Sequence, residues 1–307
     1  MTNLKVMLEY FHPWPNAAGF YFAREQGWYR EADLDVEFVL QDPERGDALA
    51  YLVRRDVDFG ICPSNRLLVR RDRGDPVFGG AAGNHRGLEV IQTIRSTGIS
   101  RPRDLAGKRL ALNPTPRGLA MVRHLVAADG GNPDAVVIVD AGTRELTPDL
   151  IAQGTVDATF GSYWAWEVLM ETAVADRDRI IWPVDTIGAP PYHSYLLGAH
   201  QGLLADNPAI VQTFLGISAR GYLAVSRAPE KALPIFERIT PYFPENLLQR
   251  SLSLIAPTWL HDGRWGQQRQ ELLEPYARWL SDNGILSRAD VWRDAVTNSF
   301  LPVEVRL

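Results

Sequence analysis

The sequence has a single cysteine, Cys62, among its 307 residues. One thiol allows no intramolecular disulfide and excludes the cysteine-rich sites that hold structural zinc. The net charge is −5, and no basic run is longer than the Arg66–Arg73 patch, which argues against a nucleic-acid partner. No internal repeat or low-complexity linker is found. These absences indicate an ordinary globular protein, long enough for two domains with a core each.

Long hydrophobic runs are also missing. No stretch is apolar for long enough to span a membrane. The N-terminal MTNLKVMLEYF has neither the apolar segment nor the small-residue cleavage site of a signal peptide. Taken literally, this start predicts a cytoplasmic protein. A start trimmed from a longer precursor would instead indicate a periplasmic or cell-surface protein.

The most informative stretch is Leu8–Gly27, LEYFHPWPNAAGFYFAREQG. The residues before its prolines alternate in polarity, which predicts a strand with Leu4, Val6 and Leu8 on one face and Lys5, Met7 and Glu9 on the other. Pro13 and Pro15 end the strand, because proline has no backbone donor. Asn16 is predicted as the N-cap of the helix that follows and as a candidate ligand contact.

The loop between this strand and helix carries Tyr10, Phe11, His12 and Trp14. In an open α/β domain, ligands bind outside the carboxyl ends of the strands, next to helix N-termini. Three aromatic rings and a histidine at such a position favour a flat, unsaturated ligand, although the same rings would also serve to close a hydrophobic core. His12 is a candidate for hydrogen bonding to the ligand or for acting as a general base.

Strands and helices alternate along the first 200 residues, which indicates an α/β fold with mostly parallel sheets. The pattern predicts one lobe from residues 1–87, a second from 88–189, and a return to the first from 190–307, where helices dominate. Two hinge crossings and a ligand cleft between the lobes are expected. Among the predicted helices are residues 44–52, 145–153, 164–173, 207–227 and 266–283.

Several motifs are shared with a known group of proteins. They include DLAGKR at Asp104–Arg109, GTVDATF at Gly154–Phe160 and GSYWAWE at Gly161–Glu167. With these motifs the chain resembles the two-lobe type II periplasmic-binding-protein fold. More narrowly, it is similar to the family of formylaminopyrimidine-binding proteins, alkanesulfonate-binding proteins and the fungal thiamine-pyrimidine synthase. The resemblance implies that the carboxylate of Glu167 binds an aminopyrimidine, beside the rings of Tyr163 and Trp164.

The resemblance also bears on catalysis. The fungal synthase uses a lysine-bound pyridoxal phosphate and a cysteine-rich motif, whereas this chain has one cysteine and only the lysines Lys5, Lys108 and Lys231. No cofactor and no metal are therefore expected. The segment HPWPNA, at His12–Ala17, is similar to the nucleophile turn of a cytoplasmic desulfinase, in which a cysteine stands at the position of His12.

Further candidate ligand contacts lie at the ends of other predicted strands. Cys62 ends a buried strand, and Ser64 is placed to cap the helix that follows; a helix N-terminus would lower the thiol pKa, whereas burial would leave the cysteine structural. Asn113 and Thr115 form the matching loop of the second lobe, with Thr115 as a helix N-cap. Tyr192 and His193 lie in the second hinge crossing.

These features favour a substrate-binding protein that serves an ABC transporter and takes a small heteroaromatic ligand, above all a thiamine-pyrimidine precursor. The expected partners are this ligand and a transporter permease. The alternative is a cytoplasmic enzyme on the same fold, such as a desulfinase, decarboxylase or lyase of an aromatic acid, with His12 as its catalytic residue. A cytoplasmic ligand sensor is a third possibility.

Overall fold

A computed structural model describes residues 1–142 and 146–303 of the chain. Contacts between residues divide the chain into two compact units. The first unit combines Met1–Arg86 with the chain from Tyr192 onward, and the second is the continuous segment Gly87–Pro191. The chain therefore leaves the first unit once and returns to it once.

Within the described ranges the strands are, in chain order, β1 Thr2–Met7, β2 Leu34–Val39, β3 Phe59–Pro63, β4 Val77–Ala82, β5 Glu89–Ile94, β6 Arg109–Leu112, β7 Val137–Asp140, β8 Ala158–Tyr163, β9 Arg179–Pro183, β10 Tyr195–His200, β11 Leu260–His261 and β12 Arg264–Trp265.

The α-helices of the same ranges are α1 Ala18–Glu25, α2 Trp28–Glu31, α3 Ala48–Arg54, α4 Ser64–Asp72, α5 Pro116–Ala128, α6 Pro148–Ala152, α7 Gln201–Asp206, α8 Pro208–Arg227, α9 Leu233–Ile239, α10 Glu245–Ile255, α11 Gln270–Asp282 and α12 Trp292–Ala295. None of the helices in this part of the chain is long and apolar enough to cross a membrane.

The first unit is built on a five-stranded sheet with the order β2-β1-β3-β10-β4. β1 runs parallel to β2 and β3, whereas β10 runs antiparallel to both β3 and β4. The C-terminal helices belong to this unit, because Gly79 of β4 bridges to Val296 and Ala82 bridges to Gly266. Helices α1 and α8 cross closely on the sheet, where Phe20 stacks on Phe214 at a centroid distance of 6.1 Å.

The second unit has its own five-stranded sheet, with the order β7-β6-β8-β5-β9. β6 is parallel to β7 and β8, and β5 is antiparallel to β8 and β9. A separate apolar core of this unit includes Ile94, Ala111, Leu146, Ile151 and Val156. The sequence prediction of an α/β protein with largely parallel sheets is confirmed, with one antiparallel strand added inside each sheet.

Three helix predictions were wrong in their bounds. The helix predicted from residue 44 begins at Ala48, because Asp47 caps it by accepting the N–H of Ala50. The helix predicted from residue 266 begins at Gln270, since Gly266 has a φ of +88° that no helix accommodates. The helix predicted over 145–153 is formed only over Pro148–Ala152, as α6. Its predicted first residue, Glu145, lies outside the described residues.

The helix predicted over residues 164–173 is not formed. β8 continues to Tyr163, and only Glu167–Leu169 makes a short 3-10 turn. The carboxylate of Glu167 accepts the backbone N–H of Tyr163 at 2.7 Å, and the backbone leaves helical angles at Trp166, with φ −143° and ψ −88°. Glu167 therefore does not lie one helical turn after Tyr163, as its spacing had suggested.

Two predicted helix caps were also wrong. Pro15–Ala17 forms a 3-10 turn, and α1 begins only at Ala18, so Asn16 does not cap it. Ser64 is the first residue of α4 and its N-cap is Pro63, so the serine hydroxyl makes no capping hydrogen bond. In both cases the helix begins at a residue one or two positions from the start that capping propensity alone predicts.

Candidate functional site

The candidate site of the first unit lies at one edge of its sheet. Met7 of β1 pairs with Gly60 of β3, so these parallel strands end at the same edge. β10 begins there because it runs the other way, with Tyr195 opposite Pro63. The residues that follow β1, β3 and β4 therefore meet the residues that precede β10, at the edge where open α/β sheets bind ligands.

The aromatic turn after β1 forms a compact cluster of rings. Tyr10 and Phe11 stack with centroids 4.6 Å apart and ring planes 25° apart. His12 meets Tyr10 edge-on at 4.7 Å, and its Nδ1 lies 2.9 Å from the carbonyl oxygen of Pro13. Exposure differs sharply within the turn, because Phe11 is 52% exposed whereas Trp14 is 1% exposed. The stacked Tyr10–Phe11 pair is thus the part of the turn that a ligand ring can reach.

A buried polar network lies beneath this turn. Glu9 Oε1 accepts hydrogen bonds from Trp14 Nε1 at 2.8 Å and from Asn16 Nδ2 at 3.0 Å. Asn16 and Asn84 exchange a pair of amide hydrogen bonds, at 2.8 and 3.2 Å. Trp259 Nε1 donates to Asn16 Oδ1 at 3.1 Å. Asn16 is therefore fixed by four side-chain contacts, and it joins the turn to the chain after β4.

Glu9 is the residue of this site that sequence reasoning missed. Strand alternation placed it on the exposed face, but it is only 9% exposed. Burial raises the pKa of its carboxyl group, while its own backbone N–H and the hydrogen bonds from Asn16 and Trp14 act in the opposite direction. Its second oxygen, Oε2, is buried without a hydrogen-bond partner in the described structure. The sequence feature that could have identified Glu9 is its position at the end of a predicted strand, directly before the aromatic turn.

The two polar candidates after β3 differ in environment. Cys62 is buried, and its Sγ lies 3.6 Å from the carbonyl oxygen of Leu196. Burial raises the pKa of this thiol, which agrees with a buried structural cysteine and not with activation by the helix N-terminus. Ser64 is 1% exposed, and its Oγ has no hydrogen-bond partner among the residues described. Of the two, Ser64 retains a polar atom that a ligand can use.

Both candidates before β10 are buried in the first unit. His193 is fully buried; its Nδ1 donates to the carbonyl oxygen of Asn84 at 2.8 Å, and its Nε2 accepts the N–H of Arg269 at 3.0 Å. These partners define a neutral tautomer, and burial lowers the pKa of His193 to about 4. Tyr192 stacks on Tyr276 with centroids 4.7 Å apart. Both rings therefore help to fix the segment that leads into β10.

The remaining candidates lie in the second unit. Thr115 caps α5 as predicted, because its Oγ1 accepts the N–H of Gly118 at 3.1 Å, and the neighbouring Asn113 is exposed. Glu167 is 6% exposed and engaged with Tyr163, as described above, while Trp164 Nε1 donates to the carbonyl oxygen of Gly87 at 3.0 Å. The described residues contain no group of histidine, cysteine or acidic side chains placed to hold a metal ion.

Comparison with known proteins supplies the family. The family model described as NMT1/THI5 like matches residues 14–232, more than half of the chain. The formylaminopyrimidine-binding protein of Halalkalibacterium halodurans is 23% identical over 305 residues, which cover 97% of this chain and 90% of that protein.

Solved structures agree on the fold. The alkanesulfonate-binding protein SsuA of Xanthomonas axonopodis pv. citri, bound to MOPS, is similar with a TM-score of 0.70 at 14% identity, covering 97% of this chain and 98% of its own. The desulfurization enzyme DSZB is similar with a TM-score of 0.65 at 12% identity, covering 98% and 97%. With its fold that of the type II periplasmic-binding proteins, the chain belongs to the NMT1/THI5-like family.

Proposed function

We propose that this chain is a substrate-binding protein of an ABC importer and that its ligand is a small heteroaromatic molecule of the aminopyrimidine class, such as a thiamine-pyrimidine precursor. The family and the formylaminopyrimidine-binding relative support the ligand class. The alkanesulfonate-binding neighbour shares the fold at 14% identity, and a similarity at that level does not indicate which ligand is bound.

One observation carries the proposal, namely the exposed ring pair at the sheet edge. His12 and Trp14 of the turn are buried, yet Phe11 presents half of its surface to solvent while it stacks on the partly buried Tyr10. An exposed aromatic face beside buried polar atoms matches a planar ring that carries a few polar substituents. Binding would cover an apolar surface that is otherwise left in water.

The test begins with native mass spectrometry of protein purified without denaturation, because a bound ligand can be carried through purification. Calorimetry with 4-amino-5-hydroxymethyl-2-methylpyrimidine is then expected to show saturable binding at one site. Phe11→Ala should weaken this binding about three- to tenfold, since offset ring stacking contributes about 0.5–1.5 kcal/mol beyond area burial.

The matched control is Leu254→Ala, which removes another exposed apolar side chain, in α10 of the same unit. It should leave the affinity unchanged. A wild-type protein that binds MOPS but no pyrimidine would contradict the proposal.

Product analysis of the same mixtures, extended to aromatic sulfinates and carboxylates, separates binding from catalysis. We expect no turnover. The buried, protonated thiol of Cys62 offers no nucleophile, and Cys62→Ser should bind as well as the wild type. Multiple turnovers that vanish in His12→Ala would instead show an enzyme.

A further inference from the structure

Glu9 carries a buried acceptor that the protein leaves unused. Its Oε1 already receives the two donors described above, from Trp14 and Asn16. Its Oε2 is equally inaccessible to bulk water but receives none from the described chain. A buried carboxylate oxygen without a donor is unfavourable, whereas most buried polar atoms in proteins are paired. Such an atom calls for an explanation beyond packing.

The surrounding network prevents Glu9 from resolving this by itself. Asn16 is fixed through both atoms of its amide by Asn84 and Trp259, so it cannot turn a second donor towards Glu9. The Tyr222 hydroxyl is committed, because it donates to the backbone oxygen of Asn16 at 2.8 Å. Oε1 is held in place by its own two donors. The carboxylate is therefore held in a fixed position, with one buried oxygen that no described group of the chain pairs.

We propose that Glu9 Oε2 accepts a hydrogen bond from an N–H group of the bound ligand, and that Glu9 thereby selects ligands that carry an amino group. This inference rests on the proposed function, because it assigns a selecting residue to the same sheet edge. A ligand whose polar group is a sulfonate or carboxylate offers only acceptors, so it would leave the buried Oε2 without a donor, which is unfavourable. The exposed Tyr10–Phe11 pair lies in the turn that begins at the next residue.

The experiment compares two probes that differ only in this donor, namely 4-amino-5-hydroxymethyl-2-methylpyrimidine and the same molecule without its amino group. Calorimetry is expected to show that the wild type prefers the amino compound by about ten- to a hundredfold, within the range for leaving a buried acceptor unpaired. Glu9→Gln keeps an acceptor for Trp14 and Asn16 but replaces the open oxygen by an amide. It should remove the preference.

Glu37→Gln is the matched control, because it makes the same chemical change at an exposed position on the neighbouring strand β2. It should retain the wild-type preference, and thermal unfolding checks that each variant is folded. If Glu9→Gln keeps the preference, the inference is wrong while the proposed function stands. If the wild type binds neither pyrimidine, the proposed function fails and the inference fails with it.

A wild type that binds both probes equally also overturns the inference, and this outcome needs no variant. The inference thus stays testable even if Glu9→Gln does not fold. Binding of both probes would still support a pyrimidine-binding protein, so the two failures are distinguishable.

Discussion

Trp14 and Trp265 are buried to a similar extent but differ in one hydrogen bond. Trp14 Nε1 donates to Glu9, whereas Trp265 Nε1 has no partner among the described residues. Replacing either by phenylalanine removes comparable ring area. We expect Trp14→Phe to lower the free energy of unfolding by about 0.5–1.5 kcal/mol more than Trp265→Phe, because only the first change removes the hydrogen bond to Glu9. Urea unfolding of both variants measures the difference, and equal losses would contradict this account of the network.

At the scale of single residues, the sequence indicated which side chains lie in the candidate site but not which groups they contact. The aromatic turn was predictable, because two prolines after an alternating strand define it. The role of Glu9 was not, since strand periodicity gives the face of a side chain and says nothing of the helices that cover that face. Asn16 was selected for capping propensity, but the tertiary partners Asn84 and Trp259, distant in sequence, use its amide instead.

At the scale of elements, the crossing of α1 and α8 depends on two glycines. A Cβ on Gly221 would lie 2.1 Å from the backbone oxygen of Gly19, and a Cβ on Gly19 would lie 2.3 Å from the ring of Tyr222. The helices are therefore closer than any side chain at these positions allows. The contact also brings Tyr222 to the backbone of Asn16, where its hydroxyl donates.

Gly221→Ala should consequently destabilise the protein by about 1–3 kcal/mol, the range for overpacking a well-packed core. Gly216→Ala is the matched control in the same helix, because a Cβ there meets nothing within 4 Å. It should be neutral or stabilise by up to about 1 kcal/mol through helix propensity. Thermal and urea unfolding report both values, and a tolerated Gly221→Ala would contradict the close approach.

Element prediction succeeded where local signals act alone. The helix predicted over 207–227 is formed as Pro208–Arg227 with Asn207 at its N-cap position, since an Asn-Pro pair is a strong start signal. The helix predicted over 164–173 is not formed because the chain leaves helical angles at the fully buried Trp166, and no local signal in the sequence indicates that break. Sheet order was not predictable either, because β10 enters the first sheet from far along the chain.

At the scale of the whole molecule, buried histidines make stability depend on pH. Burial lowers the pKa of His85 to about 3 and that of His193 to about 4, from an ordinary value of 6.5. The rings of His193 and His261 lie 5.2 and 5.7 Å from that of His85, and Arg269 adds a positive charge nearby. The unfolded chain therefore binds more protons than the folded one between pH 4 and 6.5, so stability falls as pH falls through this range.

His85→Phe replaces one titratable imidazole by a phenyl ring, which keeps an aromatic ring at this position but cannot bind a proton. The stability difference between variant and wild type should shift in favour of the variant by about 1 kcal/mol per pH unit between pH 6.5 and 4. Comparing variant with wild type cancels Glu9, whose raised pKa acts in the opposite direction. Urea unfolding at several pH values provides the data, and parallel curves for His85→Phe would exclude this effect.

The central place of β10 has a consequence for synthesis on the ribosome. β3 and β4 emerge early, but the strand that separates them comes much later, as Cys62 and Leu196, in contact across β3 and β10, are 134 residues apart in the chain. At about 5–20 residues per second, the nascent chain spends on the order of ten seconds with these two strand edges open. The whole of Gly87–Pro191 is translated in that interval. Nascent-chain capture by chaperones should therefore peak before residue 200 has emerged.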